Sequence, residues 1–90
     1  MVVLVNDTAA LAEIHRLAQF DRIRFTRHAA DRMDQRGAKR EDVRAALVSG
    51  TVAIAQERGG WRVEGGVDSA GDELTVIVDI EADVIVITLF

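Results

Sequence analysis

Apolar residues in the first half of the chain recur every three or four positions, which is the spacing of one face of a helix. The pattern predicts three helices. Side chains suited to N-capping precede the first two, at 6–8 and at Thr26, and Gly37 suits the left-handed turn that ends the second. The predicted helices run to about Gln19, from Thr26 to Arg36, and from about Arg40 to Val48.

After Gly50 the helical spacing gives way to alternation of apolar and polar residues, which indicates β-strands. The segments between these strands are short and rich in turn residues, so neighbouring strands should be antiparallel. A brief alternating stretch at 23–25 could add one short edge strand between the first two helices. The predicted strands are 51–56, 61–65, 74–80 and 84–90.

The predicted fold is therefore α+β, with three N-terminal helices packed on one face of a four-stranded antiparallel β-meander. A chain of 90 residues can form one domain and is too short for a second. We take residues 1–90 as that single domain, with 1–21 as an N-terminal helix.

Composition excludes several kinds of site. The chain has no Cys and only two His, His15 and His28, so thiolate sites and multi-histidine metal cages are excluded and we expect no metal and no cofactor. Apolar runs are far shorter than the roughly 20 residues of a membrane-spanning helix, and the N-terminus lacks the basic segment of a signal peptide. We expect a cytoplasmic protein without membrane contact.

Charge is distributed unevenly, although the net charge is −4. Residues 16–44 carry nine basic and five acidic residues, whereas residues 57–90 carry two basic and eight acidic ones. The acidic balance is unfavourable for a general DNA-binding protein, but a local face rich in Arg could bind a phosphate backbone. A simple preference for Arg codons would explain the same bias.

The densest cluster of reactive side chains lies on the second predicted helix. His28, Arg32 and Arg36 are spaced four residues apart and therefore share one stripe of that helix. Metal-free RNA cleavage needs such a set, because a base near neutral pKa takes the 2′-hydroxyl proton while guanidinium groups stabilise the charged phosphorane. The alternative is structural, with a partly buried His28 and with arginines paired to neighbouring carboxylates.

Three further residues are candidates for contacting an RNA substrate. Arg27 neighbours His28, and Trp61 begins a strand where an indole could stack on a base. Arg62 should point to the opposite face of the strand from Trp61, because neighbouring side chains alternate. The alternative for Trp61 is a core position that closes one end of the sheet.

The cluster also carries a family resemblance. The run Phe25-Thr26-Arg27-His28-Ala29-x-x-Arg32-Met33-x-x-Arg36-Gly37, followed by Glu41-Asp42-Val43, Ala46-Leu47 and Gly50, resembles the domain-of-unknown-function 4258 family. The resemblance extends to Val86-Ile87-Thr88 and covers roughly residues 22–90.

Members of that family resemble the RelE/ParE and MqsR-like toxins of type II toxin–antitoxin pairs. The resemblance implies a RelE-like fold, endoribonuclease activity on RNA, and a cognate antitoxin as partner. His28 would then act as general acid or base, and Arg32 and Arg36 would bind phosphate. The alternative function is a non-catalytic interaction module, such as a degenerate toxin or a regulator that binds only protein.

The last predicted strand, residues 84–90, is almost continuously apolar. Such a strand is buried on both faces, or is covered by another chain. One sheet with helices on a single face cannot cover both sides of this strand. We therefore expect association with an antitoxin or with a second copy as a homodimer.

Overall fold

The structure is a computed structural model that describes residues 7–90. It contains three helices and five strands along this part of the chain. In chain order they are α1 (Thr8–Gln19), β1 (Ile23–Phe25), α2 (Arg27–Arg36), α3 (Arg40–Ser49), β2 (Val52–Ala55), β3 (Trp61–Glu64), β4 (Val76–Ile80) and β5 (Val84–Leu89).

Each helix begins or ends at residues whose side chains satisfy its terminal backbone groups. Asp7 Oδ1 accepts a hydrogen bond from the Ala10 amide at 2.9 Å, and Thr26 Oγ1 accepts one from the Ala29 amide at 3.1 Å. Gly37 ends α2 in the left-handed conformation at φ 71°. These observations confirm the predicted caps of α1 and α2 and the predicted stop at Gly37.

The prediction of a four-stranded antiparallel meander is wrong, because the sheet has five strands in the order β1-β5-β4-β3-β2 and includes one parallel pair. Strands β2 to β5 follow one another as antiparallel neighbours. β1 lies outside β5 and parallel to it, with Ile23 opposite Val84 and Phe25 opposite Val86. A short turn fixes the relative direction only of the strands it joins. Two helices and three strands separate β1 from β5, so packing sets the direction of β1.

One apolar cluster fills the space between the helices and one face of the sheet. Ile14 and Leu17 of α1 and Leu47 of α3 are fully buried there. Ala29 of α2 is buried in the same cluster. No polar or charged residue between 7 and 90 is buried. The buried sheet residues that face this cluster are Ile23, Ala53, Val63, Val76, Val78, Val84, Val86 and Leu89.

β5 is an interior strand with two different faces. Val84, Val86 and Leu89 are fully buried against the helices, whereas Ile85 and Ile87 lie on the other face and are only half-buried. No element of residues 7–90 covers that second face, so its coverage by another chain stays a prediction. No helix in the same range is long and apolar enough to span a membrane.

Candidate functional site on the second helix

α2 lies along the outer edge of β5. β1 pairs with the first half of β5. Along the second half of β5, side chains from the start and the middle of α2 bind the backbone carbonyl groups of the strand. Thr26 Oγ1 donates to the Ile87 carbonyl at 3.0 Å, and Arg32 Nε donates to the Leu89 carbonyl at 3.2 Å. The helix thus satisfies strand acceptors that β1 is too short to reach.

His28 and Arg27 occupy the first turn of this helix and both are exposed. Neither the imidazole nor the Arg27 guanidinium makes a hydrogen bond or an ion pair with any residue in the described range 7–90. The structural alternative, in which the His28 ring is partly buried, does not fit this exposed position. Both groups are available to a ligand.

Arg32 and Arg36 lie on the same stripe as His28, but each is anchored. Arg32 is half-buried and also donates from Nη1 to Gln35 Oε1 at 3.4 Å. Arg36 Nη2 donates to the Glu73 carbonyl at 3.3 Å and so joins α2 to the loop before β4. Their partners in residues 7–90 are carbonyl groups and an amide oxygen rather than carboxylates, so neither guanidinium forms an ion pair within that range. A guanidinium has five N–H donors, and each of these arginines retains donors for a second acceptor.

Trp61 lies apart from the stripe. Its ring is half-buried against the apolar cluster, and its Nε1 donates to Asp7 Oδ2 at 3.3 Å. Trp61 therefore connects β3 to the start of α1. This placement corresponds to the structural alternative that the sequence left open for Trp61.

Arg62 points to the opposite face of β3 from the core residue Val63, as the strand alternation predicts. Its Nε lies 2.7 Å from Glu64 Oε2, although the N–H is not aligned for a hydrogen bond to any acceptor in residues 7–90. Its guanidinium carbon also lies 5.3 Å from the centre of the Phe90 ring. The structure thus brings together His28, Arg27, Arg32 and Arg36, and leaves Trp61 and Arg62 on other surfaces.

Much of the remaining basic charge has structural partners. Arg44 donates to the Ala18 and Gln19 carbonyls at 2.9 and 3.0 Å, which satisfies acceptors at the end of α1. Arg40 donates to the Ile23 carbonyl at 2.9 Å and also binds Asp21. These two arginines and their neighbours line a depression of about 260 Å³ that is separate from the His28 stripe.

The sequence interpretation missed Arg24. This residue lies at the centre of β1 and is exposed, and its guanidinium makes no hydrogen bond or ion pair with the described residues 7–90. Ile23 and Phe25 on either side pack against the core. Their alternation with Arg24 is visible in the sequence and could have indicated that Arg24 points away from the core, on the strand directly before the site.

The carboxylates with perturbed pKa values lie outside the stripe. The hydrogen bond from the Ser69 hydroxyl, followed by that from the Lys39 backbone amide, lowers the pKa of Asp42 at the start of α3. The hydrogen bond from Arg16 lowers the pKa of Glu13 on α1. Residues 7–90 contain no group of three or more His, Cys, Asp or Glu side chains placed to hold a metal ion.

Comparison with known proteins adds one match. The family model described as domain of unknown function (DUF4258) matches residues 25–90, which include β1's last residue, the whole of α2 and everything after it. No curated protein and no solved structure matches the chain. Because the family model covers most of the chain, the protein belongs to the DUF4258 family.

Proposed function

We propose that this protein is a metal-independent endoribonuclease that acts as the toxin of a type II toxin–antitoxin pair. The observation that carries the proposal is the exposed imidazole of His28, which has no partner among residues 7–90 and lies on a helix turn that also presents Arg27, with Arg32 and Arg36 along the same stripe. A base and several guanidinium groups on one rigid helix are the minimum that this chemistry requires.

In the proposed reaction, His28 accepts the proton of an RNA 2′-hydroxyl group. The 2′-oxygen then forms a bond to the adjacent phosphorus while the bond from phosphorus to the 5′-oxygen breaks. The 5′-oxygen leaves with a proton from solvent or from an acid of the site, and the other product is a 2′,3′-cyclic phosphate. No redox partner or metal takes part.

The arginines have different parts in this proposal. Arg32 and Arg36 are held by the Leu89 and Glu73 carbonyls, so their remaining donors are positioned before RNA arrives. Preorganised donors of this kind stabilise a transition state without the cost of ordering them during the reaction. Arg27 has no such anchor among the described residues and is suited to binding the RNA backbone on either side of the cleaved bond.

The first test compares inducible expression of the wild type, His28→Ala and the control Arg16→Ala. His28 is exposed, so the alanine variant should fold normally. Arg16 belongs to an exposed pair with Glu13 on α1, and its loss should change neither fold nor activity. We expect growth arrest and RNA fragmentation for the wild type and the control, and neither effect for His28→Ala.

The second test uses purified protein, EDTA, and a pool of RNA oligonucleotides. We expect His28→Ala to cleave at least about 100-fold more slowly than the wild type, the range in which loss of a general base falls. Once a cleaved sequence is identified, the same RNA with hydrogen in place of the 2′-hydroxyl at the cut site should resist cleavage. Absence of cleavage by folded wild-type protein, together with normal growth on expression, would contradict the proposal.

Substitutions at Arg27 and Arg32 separate a role in RNA binding from a role in positioning α2 against β5. Arg27→Ala should weaken RNA binding without changing the free energy of unfolding. Arg32→Ala should reduce cleavage and also lower that free energy by about 1 kcal/mol, because it leaves the Leu89 carbonyl without its donor. Equal stability of the two variants would show that Arg32 does not position the helix.

The second candidate function is a non-catalytic module that binds a partner protein such as an antitoxin. The observation that favours it is the engagement of Arg32 and Arg36 by backbone carbonyls, which gives both residues a structural role without any substrate. It predicts that wild type and His28→Ala are equally harmless and equally stable.

A further inference from the structure

The face of the sheet opposite the helices has no covering element in residues 7–90, and we call it the open face. Strand register places its residues in rows that cross the sheet. Ile54, Arg62 and Ile77 form one row on neighbouring strands. Ile85 of β5 lies between Asp79 of β4 and Arg24 of β1 in the next row.

The centre of the open face is aliphatic. Ile54, Ile77, Ile85 and Ile87 lie on it, and all four are only half-buried. A β-bulge between β4 and β5 leaves Ile87 without a partner opposite and increases the local twist. Ile77 and Ile87 line a depression of about 530 Å³ below the turn that joins β2 to β3. Ile77, Ile85 and Ile87 lie on the neighbouring strands β4 and β5, and Ile54 lies beyond Arg62 on β2. A partly exposed patch of β-branched residues is typical of a surface covered by another protein.

The charges on this face are balanced in sign. Arg62 lies beside Glu64, Arg24 and Asp79 flank Ile85, and Arg58 follows Glu57 at the rim of the depression. A nucleic acid or a strongly charged peptide would meet repulsion from half of these groups. Equal numbers of both charges around an apolar centre permit a symmetric contact between identical chains, in which positive groups of one copy face negative groups of the other.

The size of the face sets the strength of such a contact. Five strands about 4.8 Å apart, each up to six residues long, form a face whose pairing would bury on the order of 1,000 Å² in total. This area is at the lower end for specific interfaces, so the association should be weak and concentration-dependent.

We infer that the open face binds a second copy of this chain, and that the protein forms a symmetric dimer by packing two sheets face to face. The dimer is independent of RNA cleavage, because His28 lies on α2 at the sheet edge and not on the open face. His28→Ala should therefore dimerise as the wild type does, and failure of either proposal would leave the other in place.

Analytical ultracentrifugation of the full chain over a wide range of concentrations tests the inference. We expect the measured mass to rise with concentration from the 9.8 kDa monomer toward twice that value. Ile77→Glu and, as a second variant, Ile85→Glu should remain monomeric while keeping the wild-type circular dichroism spectrum. The control Phe20→Glu removes an aromatic side chain that is 71% exposed at the end of α1, and it should still dimerise.

Disulfide trapping identifies the face directly, because the natural chain has no Cys. We expect Ile77→Cys to form a cross-linked dimer on mild oxidation, since a residue near a two-fold axis meets its own copy. Phe20→Cys should not cross-link at the same protein concentration. A wild type that stays monomeric at every concentration would overturn the inference, and so would a dimer that survives both glutamate variants.

Discussion

The carboxylate of Asp7 accepts hydrogen bonds from two different elements of the structure. Oδ1 accepts from the Ala10 amide and caps α1, while Oδ2 accepts from the Trp61 indole of β3. The start of the first helix is thereby attached to the middle of the sheet. Neither bond alone is strong, but both depend on the same carboxylate position, so changes at Asp7 and at Trp61 should be coupled.

Substitution at Asp7 and Trp61 tests this coupling. Trp61→Phe should lower the free energy of unfolding by about 1 kcal/mol through loss of the indole hydrogen bond, with a further contribution from lost packing. Asp7→Ala should cost about 2 kcal/mol, because it removes the helix cap and the same hydrogen bond. Urea unfolding of both single variants and the double variant measures the difference.

The loss of unfolding free energy in the double variant should be smaller than the sum of the losses in the two single variants, since the indole hydrogen bond can be lost only once. Strictly additive losses would show that the Trp61 bond to Asp7 contributes nothing to stability.

At the scale of elements, Arg44 in the middle of α3 caps the end of α1, and Arg40 at the start of α3 binds the segment that follows α1. Arg44 donates to two carbonyl groups in the last turn of α1, and Arg40 binds the carbonyl of Ile23 just beyond it. A cation at this end of a helix also interacts favourably with the helix dipole. Two of the nine basic residues in 16–44 thus hold α3 against α1 and the segment that follows it.

Arg44→Met tests this role, because methionine retains most of the side-chain length without the donors. We expect a loss of about 1 kcal/mol in the free energy of unfolding. Faster amide hydrogen exchange should be confined to α1 and the neighbouring part of α3. Arg24→Met is the matched control, since the Arg24 side chain is exposed and makes no hydrogen bond or ion pair within residues 7–90. Equal effects of the two substitutions would contradict a capping role for Arg44.

An element could be predicted from the sequence when the residues that determine it lie close to it in the chain. Thr26 and Gly37 determine the ends of α2 through bonds a few residues away, so these ends were predictable. The parallel direction of β1 was not, because it arises from pairing with β5 about 60 residues later. The anchors of Arg32 and Arg36 are carbonyl groups 57 and 37 residues later in the chain, and side-chain spacing on the helix gives no information about them.

For the candidate site, helical spacing was sufficient to place His28, Arg32 and Arg36 on one stripe. It could not show whether His28 is exposed, since exposure depends on how α2 meets the edge of β5. Trp61 shows the reverse case. A tryptophan that begins a strand is compatible with either face, and it is the packing of the ring against the apolar cluster and its bond to Asp7 that place Trp61 on the core side.

At the scale of the whole molecule, the site and the open face are separate surfaces of one small core. α2 is attached to the β5 edge through side chains, and β5 carries both the buried valines and the exposed isoleucines. The same strand therefore supports the helix of the proposed RNA site on its edge and the proposed dimer contact on its open face. Substitutions on the buried face of β5 should therefore impair both the proposed RNA cleavage and the proposed dimerisation. Only substitutions elsewhere can abolish one of the two and leave the other intact.

Stability of the molecule should also depend on acid pH through Asp42, which joins α3 to the loop before β4. Its carboxylate accepts hydrogen bonds from the Ser69 hydroxyl and the Lys39 amide, and these lower its pKa below the ordinary value of 3.8. A lowered pKa in the folded state means that the stabilisation is complete above the ordinary value and is lost as the pH falls toward the folded-state value.

Asp42→Asn should therefore be less stable than the wild type at pH 7, and the difference should shrink below about pH 4 as the wild-type carboxylate becomes protonated. Urea unfolding at pH 7, 5 and 3 measures this difference. Glu13→Gln is the control, because its carboxylate pairs with Arg16 on an exposed helix surface where the contribution to stability is small. A difference for Asp42→Asn that stays constant from pH 7 to pH 3 would show that the ionised carboxylate does not hold the loop to α3.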